Sequence, residues 1–214
     1  MQYLSQRLAS KPARRRDGVP PGGALRSPQR ERILDAAERL AGGEGRGAAS
    51  IEAIVKAAGV STVSFYEHFE GKEECFVAVF DRALEEFETE LGEKLGRGLT
   101  WPERVSTGLR ALLAEVAARP ERARLCLVEA QTGGPVLSAR FEATLDRAAR
   151  ALRQGRALET APAGLPETLE EATVGGVAWL LRERLERGED GAAGVEDLYP
   201  KLVEIALAPY LSDG

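Results

Sequence analysis

Between Ala57 and Phe80 the chain runs A-A-G-V-S-T-V-S-F-Y-E-H-F-E-G-K-E-E-C-F-V-A-V-F. A short helix is expected to end at Ala58, where Gly59 supplies the backbone freedom for a turn that most residues resist. A second short helix follows, carrying hydroxyls, a tyrosine and the only histidine of the chain, His68. The run E-G-K-E-E then breaks the pattern and starts a long amphipathic helix. Two short helices around a glycine turn make a helix-turn-helix, a motif that lays its second helix in the DNA major groove.

On either side of this turn each helix carries its own signals. Pro28 and Gln29 open helix 1, and Ile33, Leu34, Ala37, Leu40 and Ala41 fall on one face at helical spacing. The run Gly42-Gly43-Glu44-Gly45 is expected to end it. Ser50 suits the N-cap of helix 2, with Glu52 in the first turn where the helix dipole favours a carboxylate. Ile51, Ile54, Val55 and Ala58 give that helix its buried face. In helix 3, Phe65 and Phe69 stand four residues apart and point together into a small core. That orientation predicts Thr62, Val63, Ser64, Tyr66, Glu67 and His68 at or near the surface.

On three features residues 30 to 80 resemble the DNA-binding domain of the tetracycline-repressor (TetR) family of bacterial transcription regulators. These are the A-G-V-S turn at Ala58 to Ser61, the F-Y-x-H-F core at Phe65 to Phe69, and the Lys72-Glu73 pair opening helix 4. The resemblance implies that Thr62, Val63 and Ser64 approach base edges while Tyr66, His68 and Lys72 hold backbone phosphates. It adds a phosphate contact from Ser50 and an anion at the free amides opening helix 4. The family often has Lys or Arg near position 62 and Gly near 63, where this chain has Thr62 and Val63. Glu67 would be repelled by phosphate unless it accepts from cytosine N4 or pairs with a basic group of its own chain. Helix 3 thus brings no positive charge except a protonated His68, so the electrostatic share of DNA affinity must come from elsewhere.

The N-terminal segment is the expected source. Residues 1 to 30 hold Arg7, Lys11, Arg14, Arg15, Arg16, Arg26 and Arg30 against Asp17, a net +6, which leaves −11 for residues 31 to 214 of a chain at −5. Pro12, Pro20, Pro21 and Gly22-Gly23 predict that residues 1–27 are disordered on their own. Two readings stand: an arm that tracks phosphates or enters the minor groove, or a solubilising leader. A secretory signal is not expected, because no apolar stretch follows the arginines.

Richness in Ala, Leu, Glu and Arg with little alternation predicts an all-α fold of about nine helices, the family's usual number. The length of 214 residues suits a helix-turn-helix domain over 28–72 and a ligand-binding and dimerisation domain over 73–214. Helix 4 is expected from Lys72 to Leu95, helix 5 after Pro102, helix 6 after Pro120 and helix 7 after Gly133-Gly134-Pro135. A loop is expected from Gln154 to Pro166, then helix 8 over Glu167 to Arg187 and helix 9 over Val195 to Leu211. No apolar run approaches the about 20 residues that span a bilayer. Cys75 and Cys126, unpaired by any motif, fit a reducing cytoplasm.

Helices 8 and 9 carry more apolar surface than one bundle needs. In TetR-like proteins the last two helices pair with their symmetry mates, which implies a homodimer through Val174, Gly175, Gly176, Trp179, Leu180, Leu202, Ile205, Ala206, Pro209 and Tyr210. Plain intramolecular core is the other reading of the same stripe. A two-fold dimer suits a palindromic operator in double-stranded DNA.

The expected activity is repression relieved by an unidentified small-molecule effector held among helices 4 to 8, since helix 4 reaches from the DNA-binding domain into the regulatory one. Candidate pocket residues are Phe80, Phe87, Leu109, Leu113, Leu125, Val128, Glu129, Phe141, Leu145 and Trp179. Glu129 favours a cationic or hydrogen-bonding ligand, or else pairs with Arg122 or Arg124. A single histidine argues against zinc. No nucleophile stands with a base, so neither enzyme activity nor a cofactor is expected. Gly42 to Gly47 lacks the Lys and Thr of a phosphate loop and reads as turn. The competing class is a helical dimeric interaction module that touches DNA weakly, favoured by Glu67 and the missing lysine in helix 3.

Overall fold

The computed structural model describes residues 27–187 and 193–211, so the expected basic arm lies, apart from Ser27, outside the described residues. The described chain is all α, without a strand. Its helices are α1 (Pro28–Glu44), α2 (Ile51–Ala58), α3 (Thr62–His68), α4 (Lys72–Lys94), α5 (Trp101–Ala118) and α6 (Pro120–Leu127), then α7 (Pro135–Arg153), α8 (Leu169–Arg187), α9 (Ala193–Glu196) and α10 (Tyr199–Leu207). Short 3-10 turns follow α6, α7 and α10.

Proline marks where many of these helices begin. Pro28, Pro102, Pro120, Pro135 and Pro200 each sit in the first two positions of a helix, where the missing N–H costs nothing. Helix α5 starts at Trp101, just before the expected point, because Thr100 and Glu103 form a capping box. There the Thr100 N–H donates to Glu103 Oε2 at 2.7 Å.

Helix α1 ends within the expected run Gly42 to Gly45, continuing through Gly42 and Gly43 to Glu44 with the turn at Gly45. Gly42 serves close packing: a Cβ there would collide with the Glu121 backbone carbonyl of α6. The expected helix 9 comes in pieces, the single turn α9, then α10, then a 3-10 turn over Ala208–Tyr210. Pro200 and Pro209 stand where the second and third pieces begin, since a proline ring inside a continuous helix clashes with the preceding turn.

One core cluster joins Ile33, Leu34, Ile54, Phe65 and Phe76 to Leu125 and Leu137 of α6 and α7, so the first three helices rest directly on the C-terminal bundle. A second cluster sets Leu113 and Val116 of α5 against Leu181 and Leu202 of α8 and α10. The third gathers Trp101, Leu152 and Tyr210.

Candidate nucleic-acid interface and ligand cavity

Helices α2 and α3 are built as the turn chemistry requires. Ser50 Oγ accepts from the Ala53 N–H at 3.1 Å, and Ser61 Oγ caps α3 by accepting from the Ser64 N–H at 3.0 Å. Gly59 between them adopts the left-handed conformation at φ 63°, which a side chain would disfavour. Phe65 and Phe69 are buried with ring centroids 5.5 Å apart, so α3 turns Thr62, Val63, Tyr66 and Glu67 to solvent. Val63 is 71% exposed, an apolar side chain with no intramolecular reason to face water.

Three residues expected on this surface stand differently. Ser64 is only 7% exposed, and its hydroxyl donates to Gln29 Oε1 at 2.9 Å, so the expected surface position is corrected. His68 is half-buried, with Nε2 enclosed and without a hydrogen-bond partner. Lys72 is half-buried as well, its Nζ donating to the Arg46 carbonyl at 3.1 Å. The anion expected at the start of α4 has a resident competitor, since Glu74 Oε2 accepts from the Glu70 N–H at 2.5 Å.

Behind this surface lies a cavity of about 420 Å³ bordered by α4, α5, α6, α7 and α8. Along α5 its wall runs from Trp101 to Val116, roughly 22 Å of helix, so the space is elongated. Apolar side chains make most of the wall, and polar groups mark both ends of that stripe. Exposed Arg104 and Gln154 lie near the Trp101 end, while Glu115 and Arg122 lie with Cys126 at the other. Thr144 and Thr173 also border the space, but their hydroxyls donate to carbonyls of their own helices.

Of the expected pocket residues, Phe80, Phe87, Leu109, Phe141 and Leu145 line this cavity. The other five do not. Leu113 and Leu125 are fully packed core, and Val128 packs at the edge of the second cluster. Trp179 is 58% exposed, on the face of α8 turned away from the cavity. Glu129 pairs with neither Arg122 nor Arg124; its Oε2 accepts from the Arg46 N–H at 3.2 Å, tying the α6–α7 connection to the α1–α2 loop.

Arg122 has a different role. Its Nε donates to Glu38 Oε1 at 3.0 Å and its Nη1 to Glu86 Oε2 at 2.6 Å. Arg82 of α4 holds the other oxygen of Glu38 at 2.9 Å and reaches Glu31 and Asp35 as well. Glu38 of α1 is thus gripped by one arginine from α4 and one from α6. Sequence reasoning missed this network, because charged residues on amphipathic helices normally mark the solvated face. The cysteines are inert: burial, with the Glu38 carboxylate behind it, pushes the Cys126 thiol up to about 12, and burial lifts Cys75 equally.

The expected interface on the last helices divides. Leu202, Ala206 and Tyr210 are buried within the protomer, and Val174 and Ala206 line the cavity, so these are corrected to core or wall. Tyr210 stacks edge-on to Trp101 at 4.9 Å, and its hydroxyl donates to Glu170 Oε1 at 2.6 Å. Leu180 and Pro209 are half-buried. Gly175 and Gly176 have open space above them, and with Trp179 and the 43% exposed Ile205 they leave an outward apolar strip on α8 and α10.

A capped helix-turn-helix with an exposed second helix, resting on a helical bundle around an apolar cavity, defines a DNA-binding regulator. Residues 33–79 match the model of the bacterial regulatory proteins of the tetR family. No curated protein matches the sequence. Among solved structures, the fold is similar to the fatty acid degradation regulator FadR of Bacillus halodurans, with a TM-score of 0.72 at 17% identity over 83% of this chain and 97% of that one. It is equally similar to the transcriptional regulator FadR of Bacillus subtilis in complex with stearoyl-CoA, again at 0.72 and 17%, over 84% and 98%. A TetR family regulator from Marinobacter aquaeolei VT8 gives 0.62 at 24% identity over 83% and 95%. Among the described residues no helix is long and apolar enough to cross a membrane, and no group of His, Cys, Asp and Glu is arranged to hold a metal ion.

Proposed function

We infer that this chain is a cytoplasmic, homodimeric repressor, released from a palindromic operator when an elongated, largely apolar molecule enters the cavity. The observation that carries this reading is α4. Its first turn, at Lys72, is bonded to the loop preceding α2, and farther along Phe80, Phe87 and Leu91 border the cavity. A molecule among those side chains acts on the same helix that positions α3. It shifts the equilibrium only as far as it prefers the released conformation over the DNA-bound one.

In this reading Thr62 and Val63 meet base edges, Val63 by apolar contact with a thymine methyl. Tyr66, His68, Lys72 and Ser50 set the register on phosphates, Lys72 by exchanging the Arg46 carbonyl for a phosphate oxygen. Residues 1–27 supply positive charge, 28–72 read DNA, and 73–214 bind the effector and the second copy. The two copies meet through Gly175, Gly176, Trp179, Leu180 and Ile205. The stearoyl-CoA held by the B. subtilis regulator of similar fold supports an acyl chain as the first molecule to try.

The test is selection of random duplex DNA on the purified protein at two salt concentrations, followed by addition of stearoyl-CoA to the selected site. An enriched palindrome that is released on addition supports the whole reading. A palindrome that stays bound keeps the regulator and removes the acyl chain. Salt-sensitive binding without any enriched sequence replaces the reading with that of a helical interaction module.

A further inference from the structure

The wall of the cavity is buried at one end and exposed at the other. At the Cys126 end Val116 and Ala123 are 2% and 6% exposed, and the charged groups there are already committed. Glu115 Oε2 takes the Arg119 guanidinium, and Arg122 donates to Glu38 and Glu86. At the Trp101 end the bordering Arg104, Ala148, Ala151 and Gln154 are all exposed. Trp101 anchors this rim, its Nε1 donating to the Ala151 carbonyl at 3.3 Å, and Arg104 stands about one turn farther along α5. Glu103, the carboxylate beside Arg104 in the chain, is taken by the N–H and hydroxyl of Thr100. Among the described residues neither the Arg104 guanidinium nor the Gln154 side-chain amide has a hydrogen bond or an ion pair. Such a space takes an amphiphile apolar end first. The apolar chain gains by leaving water, whereas a charged head carried to the buried end would lose its hydration and find no free partner.

We propose that Arg104 is the headgroup-recognising residue of the cavity. The effector enters at the Trp101 rim, its apolar chain lies along α5 toward Cys126, and its anionic oxygen group, a carboxylate or a phosphate, stays at the rim on the Arg104 guanidinium with the Gln154 amide as a second donor. This rests on the cavity being the effector site and narrows the effector to an amphiphile with an anionic head. The guanidinium fork meets either oxygen group with two parallel N–H donors. An ammonium head would face Arg104 as a like charge, and a hydroxyl head would gain no charge attraction from it.

The experiment is displacement of the neutral apolar dye Nile red from the full-length protein by decanoate, decanoyl-CoA and decanol, which share one chain length. Arg104→Gln should weaken decanoate, decanoyl-CoA or both by about fivefold, the scale of an ion pair open to solvent. Decanol and Nile red should stay within about twofold of wild type, which shows the cavity intact. A loss for decanoate assigns the site to a carboxylate, and a loss confined to decanoyl-CoA assigns it to the phosphates of the larger head; either upholds the proposal. Arg104→Glu should reverse the order and give decylammonium the advantage over decanoate. Arg39→Gln, an equal change of net charge at an exposed position on α1, which does not border the cavity, should keep the wild-type affinities. Unchanged displacement by both anions in Arg104→Gln, an equal loss for decanol, or an equal effect of Arg39→Gln overturns the role of Arg104 and leaves the cavity reading standing. Failure of Nile red to bind wild-type protein removes the cavity reading and this inference with it.

Discussion

Ser64 and Glu170 show how much one side chain's surroundings alter its meaning. Ser64 looks like a base-reading hydroxyl in sequence, yet its Oγ bonds Gln29 inside the domain. Ser64→Ala is therefore expected to cost about 1 kcal/mol of stability and to leave the order of preferred DNA sequences unchanged; urea unfolding and a competition assay over variant sites check the two halves. Glu170 is fully buried beside Arg156, with Nε 2.7 Å from Oε1 and Nη2 2.9 Å from Oε2, and under the Tyr210 hydroxyl. Burial alone would raise its pKa, but the Arg156 guanidinium and the Tyr210 hydroxyl hold it down at about 2 against an ordinary 4.5. A carboxylate depressed in the folded state contributes stability that is complete above the unfolded value and fades as pH falls toward the folded one. Glu170→Gln should thus destabilise most near neutrality, and the gap between its urea midpoint and that of wild type should close between pH 4.5 and 2. A gap independent of pH in that window would show that the ion pair contributes nothing through linkage.

At the scale of elements, α1 carries two adjacent glycines with opposite tasks. Gly42 meets the Glu121 backbone of α6, while a Cβ on Gly43 would meet nothing within 4 Å. Gly43→Ala should stabilise by about 0.5–1 kcal/mol through helix propensity. Gly42→Ala should destabilise by about 1–3 kcal/mol, because neither backbone can retreat without parting the helices. Chemical denaturation of the two variants reads this directly, and equal signs would sink the packing argument. The same α1–α6 contact carries the grip of Arg122 on Glu38, so Gly42→Ala should also weaken whatever coupling runs from the cavity to the DNA-reading helices.

For the whole molecule, the outward strip around Trp179 is exposed and has no partner among the described residues. A large exposed aromatic beside glycines that admit close approach is what a self-complementary two-fold contact needs. Trp179→Glu is expected to raise the dimer dissociation constant by at least about 30-fold, the effect of losing an interface hot spot. Its helix content should stay as in wild type. Sedimentation velocity across a concentration series gives the first quantity and circular dichroism the second. Unchanged association would place the copy-to-copy contact elsewhere.

The sequence by itself determined what depends on local chemistry. Gly59 between two serine caps makes the turn, the spacing of Phe65 and Phe69 orients α3, and first-turn prolines mark the starts of helices. Each works through its own backbone or a neighbour within one or two turns, so pattern reading reaches it. Only the tertiary structure decided which members of an apolar stripe face a cavity, a core or solvent. Trp179 and Leu181, two residues apart on α8, end at 58% and 0% exposure because only Leu181 points into the core shared with α5 and α10. Glu115, Arg122 and Glu38 belong to three different helices, and nothing near any of them in the chain announces the others. Their meeting is fixed by how α1, α5 and α6 cross, which is a property of the packed molecule alone.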